Sequence, residues 1–141
     1  MIKKTYTFTD YNGNERTEDY YFDLRQDELV KLEYSTKGGL SKKIETLIGT
    51  QDIPEIIKVF DEIIIASYGV KSPDGREFIK DEAITKAFMQ TKGYEKLFMD
   101  FVTKEGFAAD FFNNLIPTEG ITQVVNEKKE ESNIVEMTPN T

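Results

Sequence analysis

The stretch "DIPEIIKVFDEIIIA", residues 52–66, sets the terms for everything around it. Asp52 is suited to cap the free N–H groups of a first helical turn. Pro54 fits where its missing N–H is not needed, and Glu55 stands three positions after the cap. The spacing predicts a helix whose apolar residues, Ile53, Ile56, Ile57, Phe60, Ile63, Ile64 and Ile65, cover a wide arc. A helix so apolar on so many sides cannot lie on a surface. The rest of the chain has to wrap it, which makes it the expected centre of the fold.

The sequence on either side supplies that cover. Upstream, "KKTYTFTDYNGNERTEDYYFDL" alternates Thr with Tyr6 and Phe8, reaches Asn12-Gly13, and resumes toward Tyr20 and Phe22. Period-two aromatic and β-branched residues on both sides of Asn-Gly predict a hairpin, with strands near 3–9 and 16–22. Then "DELVKLEY" places Leu29, Val30 and Leu32 on one helical face, with a capping box expected from Asp23 and Gln26. Gly38-Gly39 ends that unit. "LSKKIETLIG" follows with Leu40, Ile44, Leu47 and Ile48.

Downstream of the central helix, Asp81 is expected to cap "DEAITKAFMQT", with Ile84, Ala87 and Phe88 inward. "GYEKLFMDFVT" offers Tyr94, Leu97, Phe98 and Phe101, and "GFAADFFNNLI" runs until Pro117 stops it. The fold class read from this order is α+β: an N-terminal β-hairpin (3–22) followed by a mainly α-helical body of five or six helices (23–117). Residues 1–117 form one expected domain. Residues 118–141, acidic and without helical periodicity, are expected to be a flexible, mobile tail.

Several chemistries are excluded by residue type. With no His and no Cys among 141 residues, the usual zinc sites, the Ser-His-Asp triad and Cys-His nucleophile pairs are absent, as are disulfides. The serines form no G-x-S-x-G elbow and no S-x-x-K pair. A net charge of -8 repels a phosphate backbone, so nucleic acid is not an expected partner. The polar N-terminus lacks the apolar core of a secretory signal, and no apolar run is long enough for a bilayer. An intracellular, non-membrane protein without cofactor, metal or small-molecule substrate is the resulting expectation.

Two loops invite closer comparison. "DYNGNERTED" carries D-x-N-x-N at Asp10, Asn12 and Asn14, but its glycine comes at the fourth position and Tyr21 stands where a calcium loop has its bidentate Glu. "SYGVKSPDGREFIKD", residues 67–81, has Gly69 ahead of Lys71-Ser72, yet lacks the Gly-Lys junction and first glycine of a phosphate-binding loop. Pro73 and Asp74-Gly75 are turn chemistry instead, and Val70, Phe78 and Ile79 suit a short hairpin between two helices.

The ordered series "SYGVKSPDGREFIK", "AFMQTKGYEKLFMDFV" and "FAADFFNNLIP" resembles small tail assembly chaperones of long-tailed phages of Gram-positive hosts. The residues that carry the resemblance are Tyr68, Gly69, Lys71, Ser72, Asp74, Gly75, Arg76 and Phe78, followed by Phe88, Thr91, Tyr94, Leu97 and Phe98. It spans roughly 3–117. Arg25 departs from it, standing where a capping Ser or Thr is expected.

The resemblance implies a non-enzymatic protein that binds the phage tape measure protein and keeps it soluble while the tail tube assembles. It leaves room for contact with the tail tube protein and for self-association. It places the chain in the cytoplasm of the infected or lysogenic host and outside the mature virion. Most aromatic stripes read as core, but a chain with ten Phe has rings to spare for a partner. The candidate partner-binding residues are Lys71, Arg76, Phe78, Phe98, Phe101, Phe111 and Phe112. Two other readings stay open: an acidic phage-encoded inhibitor that mimics nucleic acid on a host protein, and an enzyme built on facing carboxylates.

Overall fold

The computed structural model describes residues 1–50 and 52–116; Pro117 and the expected tail, 118–141, lie outside the described residues. In chain order the elements are β1 (Ile2–Thr9), β2 (Glu15–Phe22), α1 (Gln26–Ser35), α2 (Leu40–Thr50), α3 (Ile53–Ser67), β3 (Tyr68–Lys71), β4 (Phe78–Ile79), α4 (Glu82–Met89), α5 (Lys92–Thr103) and α6 (Phe107–Leu115). The architecture is α+β, as the periodicity predicts. Among the described residues no helix is long and apolar enough to cross a membrane.

β1 and β2 pair antiparallel without interruption from Ile2↔Phe22 to Thr9↔Glu15. The turn between them is one residue longer than a two-residue Asn-Gly loop. The Gly13 N–H donates to the Asp10 carbonyl at 3.0 Å and the Asp10 N–H to the Asn14 carbonyl at 2.8 Å. Gly13 therefore takes the left-handed conformation, φ 82°, that closes a three-residue hairpin. The D-x-N-x-N spacing is explained by the same turn. Asp10 Oδ1 accepts the Asn12 and Asn14 N–H groups, each at 2.9 Å, and Oδ2 accepts from Arg16 Nε at 2.6 Å.

Local sequence gives no hint of the next pairing. β3 adds to β2 through Tyr21↔Gly69 and Phe22↔Tyr68, and the Asp23 N–H donates to the Ser67 carbonyl at 2.9 Å. The two short hairpins thus fuse into one four-stranded sheet in the order β1-β2-β3-β4. One sheet face is exposed and rich in threonine. The other carries Phe8, Tyr20, Phe22 and Tyr68 into the core.

That core is aromatic. Tyr68 stacks on Phe88 of α4 at 4.2 Å between ring centroids, and Phe22 meets Phe111 of α6 edge-on at 5.5 Å. Phe60 of α3 lies 4.1 Å from Phe101 of α5. α3 is capped as expected, with Asp52 accepting the Glu55 N–H, but it is less enveloped than its composition predicts. Val59, Phe60, Ile63 and Ile64 are buried, whereas Ile53 and Ile65 are 50% and 58% exposed. At about 100° per residue, Ile65 falls roughly 140° from Phe60, between Asp61 and Lys58. Its own helix turns it outward.

The cap of α1 is also displaced from the expected position. Arg25, not Asp23, precedes the helix, and a guanidinium has no acceptor to offer. Only the reciprocal half of a capping box forms, the Arg25 N–H donating to Glu28 Oε1 at 3.0 Å, while the Arg25 side chain pairs with Asp27. The cap at Asp81 stands as expected, accepting from Ala83 and Ile84. Thr91 caps α5 by accepting the Tyr94 N–H.

Two features of this packing have measurable consequences. Gly93 lies buried in α5 beneath the Tyr20 phenol, and a Cβ there would collide with that ring. Helix propensity alone favours Gly93→Ala by about 1 kcal/mol; the collision reverses the sign, and we expect a net loss of about 1–3 kcal/mol in denaturant unfolding. The half-buried Tyr6 and Tyr94 hydroxyls donate to Asp100 at 3.0 Å and Asp61 at 2.5 Å. Burial first, and the carboxylate second, hold both phenols far above their ordinary value. Because the folded-state value is the raised one, stability is intact below about pH 10 and falls as pH rises past it. Alkaline unfolding should show this slope, and Tyr6→Phe with Tyr94→Phe should flatten it.

Candidate partner-binding site

The segment that joins α3 to α4 is built around two small-residue requirements. At Gly69 the Phe78 ring lies directly over the backbone, so that a Cβ would meet Phe78 Cε2 at 2.6 Å and the Ile79 carbonyl at 2.8 Å. Gly75, φ 75°, closes the turn. Between them the loop satisfies its own polar groups. Ser72 Oγ donates to Asp74 Oδ1 at 2.8 Å and accepts the Glu77 N–H at 2.9 Å, the Arg76 N–H donates to Asp74 Oδ1 at 3.1 Å, and the Ser72 N–H donates to the Glu77 carbonyl at 2.8 Å. These bonds hold the Asp74 carboxyl below its ordinary value. The residues that suggested a phosphate loop are occupied with making a turn.

The expected hairpin forms here through Val70↔Ile79 and Lys71↔Phe78, and it brings together two of the candidate residues. Lys71 Nζ sits 4.1 Å from the Tyr21 ring centroid, and Phe78 covers Gly69 beside it. Lys80 extends this outer face, 2.7 Å from Glu28 Oε2. Burial pushes the Glu28 carboxyl up, but the Lys80 ammonium and the Arg25 N–H outweigh it and leave it below its ordinary value. Arg76 projects from the turn with 86% of its side chain exposed. Phe98 belongs to a different group, half-buried on α5 against Phe60 and Tyr94.

Phe101, Phe111 and Phe112 lie elsewhere, inside the core. They are 4%, 2% and 0% exposed; their rings contact one another, and Phe101 and Phe111 also meet Phe60 of α3. Their apolar area is already spent on the core, so in this fold they present no surface to a partner.

A feature that sequence reasoning did not single out adjoins the same connector. A groove of about 800 Å³ runs between the end of α3 and α4, with Ile65, Ala66 and Met89 as its apolar contribution and Lys80, Asp81, Glu82 and Lys86 as charged ones. Ile65 is the most exposed of the apolar lining residues. Its position on the polar arc of α3 was the available signal. Val70 and Ile79, paired across β3 and β4, are further exposed apolar residues, at 44% and 38%.

Asp10, Asp27, Glu28 and Asp74 each have a capping, turn or ion-pair partner that holds the carboxyl below its ordinary value. Asp27, bonded to Arg25, is pushed down to about 2.

Gly69→Ala should lower stability by about 1–3 kcal/mol through displacement of Phe78 and β4. Arg76→Ala should leave the unfolding midpoint within about 0.5 kcal/mol of the parent. Urea titrations of the two variants check both.

The whole chain, residues 1–141, matches the family model described as phage tail assembly chaperone. No curated protein and no solved structure matches.

Proposed function

The chain belongs to the phage tail assembly chaperone family, and on that premise we propose that its client is the tape measure protein, held soluble while the tail tube forms. The observation that supports this reading is the groove beside α4. Ile65, Ala66 and Met89 offer an apolar strip of the kind that receives one face of an amphipathic helix, and Lys80, Glu82 and Lys86 flank it. Long helical clients expose such faces before they are enclosed. The net charge of -8 keeps a chaperone–client complex dispersed.

In this reading the protein acts by binding, without catalysis, in the cytoplasm of the host of a long-tailed phage of Gram-positive bacteria, and departs before the virion is complete. Lys71, Arg76 and Phe78 on the connector, with Phe98 on α5, are proposed as secondary contacts, and the tail tube protein as a second partner.

Co-expression with the tape measure protein is the direct experiment. We expect a stable complex and a higher soluble yield of the client. Ile65→Asp, on an already exposed position, should weaken binding by at least about tenfold, or about 1.4 kcal/mol, with an unchanged circular dichroism spectrum. No complex, with no gain in client solubility, would overturn the assignment; a complex indifferent to Ile65→Asp would move the site away from the groove.

A further inference from the structure

β1 is the outermost strand of the sheet, and the turn fixes which of its backbone groups face outward. Asp10 bonds inward to the far side of the turn through both its N–H and its carbonyl. Inward and outward residues alternate along an antiparallel strand, so Phe8, Tyr6, Lys4 and Ile2 bond to β2. The N–H and C=O groups of Lys3, Thr5, Thr7 and Thr9 point the other way. All four residues are exposed, and among the described residues none of their backbone groups bonds to another element.

Edges of this kind are ordinarily protected by brevity, a bulge, proline or a guarding charge. β1 is eight residues long, has no proline, and pairs with β2 without a bulge. Its two lysines are turned to other work: Lys4 Nζ lies 4.6 Å from the Phe107 ring centroid, and Lys3 is 3.6 Å from Asp19. Beside the C-terminal end of this edge lies a depression of about 370 Å³ lined by Thr7, Thr9, Glu15, Lys92, Glu95 and Lys96.

We propose that two copies of the chain associate through β1, antiparallel about a twofold axis at Tyr6, joining their sheets into one. In this register Thr5 stands opposite Thr7 of the second copy and Lys3 opposite Thr9, so every outward group of both edges finds a partner. Residue parity is preserved, which keeps the threonine faces together and the aromatic faces together. Charge favours a second copy in this direction. The lysines of the two strands lie at opposite ends of the interface, and each Lys3 arrives beside Thr9, whose neighbour across the sheet is the exposed Glu15. The parallel alternative stacks lysine on lysine. This surface shares no residue with the groove between α3 and α4.

Sedimentation equilibrium of the full chain, from micromolar to millimolar concentration, reads the association directly. A reversible monomer–dimer equilibrium is expected. Thr5→Pro removes an outward N–H while leaving the β1–β2 ladder intact, so it should weaken dimerisation by at least about tenfold with an unchanged circular dichroism spectrum. If that variant fails to fold, Thr5→Lys combined with Thr7→Lys sets like charges opposite one another in this register and should give a monomer. A parent chain that stays monomeric throughout, open-ended oligomers, or a dimer that survives the charged pair would each overturn the proposal.

Discussion

Phe22 stands at the point where strand pairing and helix packing must agree. It is fully buried, and its ring lies 5.7 Å from Tyr68, 5.9 Å from Phe88 and 5.5 Å from Phe111. Its backbone is simultaneously paired with Ile2 on one side and Tyr68 on the other. Aromatic pairs of this geometry add about 0.5–1.5 kcal/mol each beyond their buried area, so the contribution is concentrated in one residue of the last strand turn before α1. The position of α4 and α6 against the sheet follows from it, because their Phe88 and Phe111 are the rings that close this pocket.

The parts of the fold visible in sequence are those whose cause is local. The Asn12-Gly13 turn, the Asp52 and Asp81 caps, and the Asp74-Gly75 reversal each depend on side chains bonding to backbone a few residues away. Their elements fall within a residue or two of where the sequence places them. The β2–β3 pairing depends on groups more than forty positions apart, Phe22 and Tyr68, and no local pattern encodes it. Arg25 shows a different limit. The expected cap at Asp23 has the right side chain, but Asp23 is held by the Ser67 carbonyl, so the chain enters α1 two residues later.

The candidate binding surface was legible only in part, for a related reason. Counting phenylalanines does not separate a ring that covers the core from one that belongs to it, and Phe101, Phe111 and Phe112 belong to it. Turn chemistry places Lys71 and Phe78 on the connector, where they pair across its hairpin. Ile65 was absorbed into a helix whose composition is apolar throughout, although its angular position beside Asp61 and Lys58 distinguishes it from Ile63 and Ile64.

The aromatic closure over Phe22 also imposes an order on synthesis. The hairpin's strands leave the ribosome first, while the rings that cover them, Phe88 and Phe111, come from near the end of the described chain. At roughly 5–20 residues per second, the sheet waits several seconds with Tyr20 and Phe22 uncovered. The chain thus passes through a vulnerable stage during its own translation, and its N-terminal half is the half that has to survive it.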